Sequence, residues 1–208
     1  MKGSQVKSTR VRVTLAVVAA GVALTACSPS QAGAAAIVGD QRISVSELSA
    51  DAKEYEAAMD KAGISAAQLQ LPGSVPQALL ESKVFISQLN QLGARNGITV
   101  TPAEIEALLA QALQQQQGMT LDQLAVSATV APSELRELVR ASVIQQKLMA
   151  KFGAGQDQAS QQAANQKLAQ EAQKAVPVTR SPRYGEPNPQ GGGLVESNRF
   201  GALPGASQ

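Results

Sequence analysis

Histidine and tryptophan are absent from this 208-residue chain, and cysteine occurs once. Without histidine there is no Ser-His-Asp or Cys-His nucleophile pair and no histidine metal centre. One cysteine closes no disulfide within the chain and forms no Cys cluster. No glycine-rich phosphate loop of the Walker or dinucleotide type is present either. Catalytic, cofactor-binding and metal-ligating residues are therefore expected to be none.

What is present is a marked N-terminus. Lys2, Lys7, Arg10 and Arg12 form a basic region, Val13 to Ala23 an apolar run too short to span a bilayer, and Leu24-Thr25-Ala26-Cys27 follows. The order resembles a bacterial lipoprotein signal ending in a lipobox. The resemblance implies that residues 1–26 are removed and that Cys27 becomes the acylated first residue, carrying palmitate-type chains. It places the protein at the cell membrane, lipid-anchored, on the extracytoplasmic face. The plainer readings, an unmodified Cys27 or a retained anchor over residues 13–26, fit less well, because a lone thiol in an oxidising compartment is a liability. Two or more acyl chains are what stable anchoring requires.

Losing the four cations turns a formal net charge of +2 into a slightly negative one, so no basic nucleic-acid footprint remains. Residues 27–35 are small and polar and read as a tether. Residues 190–208, rich in Gly, Pro and Ser, read as a disordered tail. The folded domain is expected over 36–189.

Helix starts are marked inside it. Ser44 with Glu47, Thr101 with Glu104 and Thr120 with Gln123 have capping-box spacing, and Ala131-Pro132-Ser133-Glu134 is similar without the capping side chain. Pro102 and Pro132 suit first helical positions. Helices are thus predicted from about 45, 102, 121 and 132, with another from Val75-Pro76 to the Asn96-Gly97 stop. Leu79, Ile86 and Leu89, then Ile105, Leu108, Leu109 and Leu113, recur at helical spacing and mark core faces. Leu135, Leu138, Val139, Val143, Leu148 and Phe152 form a wider stripe, predicting contact on two sides. Two segments read as strands, 36–44 around Gly39-Asp40 and 176–184, the second placed at a sheet edge by Pro177 and Pro182. The fold class expected is mainly α, with a small two-stranded β pairing of the N- and C-terminal segments.

These residues resemble a family. Ala36 through Leu48 is similar to the opening of the SurA and PrsA chaperone lobe, and Leu92 through Ile105 to its second helix and the link to the third. Gly118 through Leu124, Glu134-Leu135-Arg136 and Ile144 through Leu148 resemble the remainder. Arg180-Ser181-Pro182-Arg183-Tyr184-Gly185 looks like the closing segment of such lipoproteins. The resemblance implies a SurA N-terminal-like helical domain acting as a lipid-anchored chaperone or holdase, with unfolded or exported polypeptides as partners. It does not imply catalysis, because the parvulin domains of those relatives are built around histidines. The interval Gly153 to Ala175, rich in Gln and Ala, is also too short to hold one.

Paired acids at Glu104 and Glu106, or Glu134 and Glu137, read as helix-start and surface carboxylates. Gln114 to Gln117 reads as a solvated helix end. Met59, Met119 and Met149 suit adaptable client contacts but read first as core. The alternative function is a docking or scaffold module for one envelope partner, and an enzyme of unknown type is the third. A broad exposed apolar groove would favour the holdase; a polar surface with one small patch would favour the docking module.

Overall fold

Ala34–Val38 (β1) and Gln41–Ser44 (β2) are the two arms of one hairpin, turned at Gly39-Asp40. The structure is a computed structural model that describes residues 33–71, 73–116, 118–187 and 194–195. Gly39 holds φ +57, the positive value that a two-residue link asks of its first central residue. A Cβ there would stand 2.9 Å from Val176 Cγ1 as well. The stretch 36–44 is therefore not one strand but two, and the sheet has three strands in the order β2-β1-β3. The third, Val178–Arg180 (β3), runs antiparallel to β1 with Val38 opposite Val178 and Ala36 opposite Arg180. The two terminal segments do pair, and β3 lies at the edge, as its prolines require.

The boundaries shift in two places. β1 begins at Ala34, inside the segment expected to be tether, because Ala34, Ala35 and Ala36 are small enough to be buried in the sheet. Leu194–Val195 (β5) pairs antiparallel with Glu186–Pro187 (β4), so the expected tail contains a short strand at its one β-favouring dipeptide. β3 itself stops at Arg180. Pro182 lacks an N–H for a ladder and instead opens a 3-10 turn, Pro182–Tyr184.

The body is helical: Val45–Ala62 (α1), Ala66–Leu69 (α2), Val75–Arg95 (α3), Pro102–Gln115 (α4), Leu121–Ser127 (α5), Leu135–Lys151 (α6) and Gln158–Ala175 (α7). The fold is mainly α, as expected. α3 is the central element, packing on α6, α1, α7 and β1, while α4 and α7 also lie on α6. That accounts for the wide apolar stripe of α6, which meets neighbours on more than one side. Tyr55, Leu79, Leu80, Leu92, Leu148, Val126 and Val176 are fully buried at the centre. Burial raises the Tyr55 hydroxyl above its ordinary pKa, and the group donates to the Val126 carbonyl at 2.9 Å.

The helix starts follow the sequence with one substitution. Thr101 and Glu104, and Thr120 and Gln123, form complete capping boxes. Ser44 Oγ accepts from Glu47 N at 3.1 Å, but the Glu47 carboxylate reaches elsewhere. Before α6, Pro132–Glu134 forms a 3-10 turn. The missing cap is supplied from α1: Glu54 accepts from Ser133 N at 2.8 Å and from Ser133 Oγ at 2.6 Å. α7 occupies the Gln/Ala-rich interval. Asp157 caps it by accepting from Ser160 N at 2.9 Å, and it buries only the narrow stripe Ala164, Leu168 and Ala172.

At Gly93 α3 lies close against α6, since a Cβ there would stand 2.6 Å from Ile144 Cγ2. Alanine gains up to about 1 kcal/mol in helix propensity, but overpacking costs roughly 1–3 kcal/mol. Gly93→Ala is expected to lower stability in a urea titration. In an Ile144→Ala background the same change should become neutral or stabilising. A stabilised Gly93→Ala in the parent chain would show that the helices yield at this contact.

Candidate functional site

Lys83 stands on the face of α3 that meets α1, yet it is only 8% exposed. Its ammonium is met by three carboxylates from two other elements. Glu47 Oε1 at 2.9 Å and Asp51 Oδ2 at 2.8 Å lie one turn apart on α1, and Glu134 Oε1 at 3.3 Å comes from the 3-10 turn before α6. Burial opposes the charge, but hydrogen bonds to Asp51 and Glu47 and the charge of Glu134 outweigh it. The Lys83 pKa is held above the ordinary lysine value of 10.5. A lysine so held stays an ammonium at neutral pH, so it is neither a nucleophile nor a general base. It is a pin joining α1, α3 and the entrance to α6.

Above this pin opens a cleft of about 350 Å³, bounded by Arg42 and Ile43 of β2, Glu47, Asn90, Glu134 and Glu137. A second hollow of about 310 Å³ shares Asn90 and Glu137 and is otherwise lined by Ala94, Ile98, Val100, Ile144 and Arg140. Arg140 Nε lies 3.3 Å from Glu137 Oε2. Together the two hollows line the seam between α3 and α6, charged toward β2 and apolar toward the link before α4. Neither is a broad apolar groove. Among the described residues, Phe85 (36%) and Leu121 (40%) are the exposed large hydrophobics.

The carboxylates singled out from the sequence separate into different roles. Glu104 caps α4 and lies 2.6 Å from Lys147, and this pairing, with the Thr101 hydrogen bonds, lowers its pKa to about 2. Glu106 pairs with Arg136 on the surface. Glu134 stands at the third position of the 3-10 turn before α6, as expected, and in addition faces the buried Lys83, while Glu54 from α1 caps that start. Met59 is buried, and Met119 and Met149 are half-buried. Gln114, Gln115 and Gln116 are exposed, and Gln117 lies outside the described residues. Cys27 and residues 1–32 also lie outside them.

Among the described residues no group of His, Cys, Asp or Glu is arranged to hold a metal ion, and no helix is long and apolar enough to cross a membrane. The chain matches no protein-family model, no curated protein and no solved structure. The arrangement of this site is accordingly read from its own geometry.

Proposed function

We propose that this chain is a lipid-anchored, extracytoplasmic lobe of the chaperone type that binds exported polypeptides without isomerising prolines. The observation that supports it best is how the lobe is closed. A helical body has its first and last segments joined by β1 and β3, and a single helix, α7, fills the interval before the closing strand. That arrangement agrees with the resemblance of residues 36–152 and 176–189 to the SurA and PrsA lobe. The anchor rests on the lipobox around Cys27.

Among the described residues few large hydrophobics are exposed and the hollows are of mixed polarity, which supports a second reading, docking of one envelope partner.

Three measurements test the proposal. Cys27→Ala is expected to move the protein from the membrane to the soluble fraction or to block its processing, and normal processing with retained membrane binding would remove the lipoprotein reading. A soluble chain of residues 28–208 is expected to leave a proline-limited refolding phase unchanged; acceleration would overturn the non-enzymatic assignment. Suppression of light scattering by an unfolded exported protein separates the modes: clear suppression at several-fold excess supports the holdase, and none supports the docking module.

A further inference from the structure

Asn90 of α3 stands where the two hollows of the α3–α6 seam join, and it lines both of them. Its Oδ1 is buried, yet no donor among the described residues reaches it. The charged side chains around it are committed: Glu137 lies 3.3 Å from Arg140 Nε, and Glu47 and Glu134 hold Lys83. A buried carbonyl left without a donor destabilises a fold. This one belongs to a side chain on the wall of an open seam, and turning the amide into that seam gives up no hydrogen bond of the oxygen.

The seam has the dimensions of an extended chain. Ser87 borders the cleft beside β2 and Ala94 borders the hollow beside Ile98 and Val100, and the helix carries them about 10 Å apart. An extended polypeptide advances about 3.3 Å per residue, so about three residues cover that length, with alternate side chains directed to the same wall. A primary amide is the complement of a main-chain amide, since its oxygen accepts from an N–H while its nitrogen donates to a carbonyl. We propose that the α3–α6 seam holds an extended stretch of a partner polypeptide. Asn90 clamps its main chain, an aliphatic side chain enters the hollow between Ile98, Val100 and Ile144, and a polar side chain lies in the charged cleft on the other side of Asn90. This names a site for the polypeptide binding proposed above and rests on that reading. A clamp on the main chain is indifferent to sequence, so selectivity falls to the aliphatic hollow.

The test uses the full chain reconstituted with phosphatidylcholine and, as probe, fluorescein-labelled α-lactalbumin that has been reduced and carboxymethylated so that it stays unfolded. Binding is read by anisotropy in the parent, in Asn90→Ala, and in Ala94→Phe, which places a bulky side chain at an exposed position on the rim of the apolar hollow. Each variant is expected to weaken binding roughly tenfold or more. Asn90→Ala should do so with a melting temperature equal to or above that of the parent, because it removes the orphaned oxygen and installs a better helix former. A parent chain that does not bind the probe overturns the polypeptide-binding reading and the site with it. A parent that binds, with both variants binding equally well, overturns the site alone. Full binding by Asn90→Ala beside weakened Ala94→Phe overturns the clamp, and so does a loss in Asn90→Ala that comes with a lowered melting temperature. Full binding by Ala94→Phe beside weakened Asn90→Ala overturns the role of the apolar hollow.

Discussion

Truncation after Ala175 is expected to lower the melting temperature of the whole lobe by roughly 10 °C or more, although of the three-stranded sheet it removes only the edge strand β3, together with the turn and the β4–β5 pair that follow. The expectation comes from what that strand covers. Val176 is fully buried, Val178 and Tyr184 pack on the core, and burying side chains of this size contributes about 1.5–3 kcal/mol each. The truncation also strips β1 of a neighbour on one side, since Ala36, Ile37 and Val38 pair with β3, and it leaves backbone groups of the buried β1 without partners. Gln88 loses the Val176 carbonyl at 2.8 Å, and Glu81 loses Arg180. A total of about 4 kcal/mol, at roughly 2–4 °C per kcal/mol for a domain of this size, gives the stated shift. Circular dichroism melts of the two chains check it. An unchanged curve would mean that the closing segment is a passenger on a body already complete at α7.

Lys83→Met is expected to cost about 3 kcal/mol or more in a denaturant titration. Methionine keeps the apolar stem and removes only the ammonium, so Glu47, Asp51 and Glu134 are left facing one another with no cation between them. Removing one partner of a buried pair costs about 3–5 kcal/mol, because the remaining charge is stranded. Asp51 is the one that matters most, with a side chain only 12% exposed, whereas Glu47 at 48% can turn to water. Adding Asp51→Leu to Lys83→Met should therefore recover much of the loss, and a double-mutant cycle reads the coupling. The pH dependence has a definite sign. Lys83 has a higher pKa folded than unfolded, so its contribution is complete below the ordinary value of 10.5 and is lost as the pH rises through the folded value. The parent chain should lose stability at strongly alkaline pH more steeply than Lys83→Met does. A Lys83→Met chain as stable as the parent would mean that the three carboxylates reach solvent.

The sequence made the local punctuation legible and the long-range charge placement illegible. Thr101-Pro102-Ala103-Glu104 and Thr120 with Gln123 announce helix starts because a capping box is complete within four residues. Gly39-Asp40 announces a turn for the same reason, yet reading 36–44 as one segment missed that the turn splits it into two paired strands. α7 escaped because its buried stripe is Ala164, Leu168 and Ala172, two of them too small to raise a hydrophobic pattern among glutamines. Its signal was Asp157 three residues before Ser160. Nothing local marks Lys83. On α3 it follows Glu81 and Ser82 and reads as one more polar residue of the helix, and its partners lie far away in sequence on α1 and before α6. Glu134 was placed at the helix start, where it is, but its contact with Lys83 was not legible, because that partner lies on α3 and nothing local points to it.

The cap that Glu54 lends to Ser133 also carries an order in time. A helix whose start is completed by its own neighbours in sequence can form as soon as those residues are free to do so. The start of α6 lacks that independence, because its missing acceptor belongs to α1, separated from it by α2, α3, α4 and α5. The 3-10 turn before α6 is thus expected to be completed only once α1 is docked, and to open when α1 leaves. Slow amide exchange at Ser133 would report the docking of α1, a helix 79 residues upstream at its contact point, rather than the health of α6 itself.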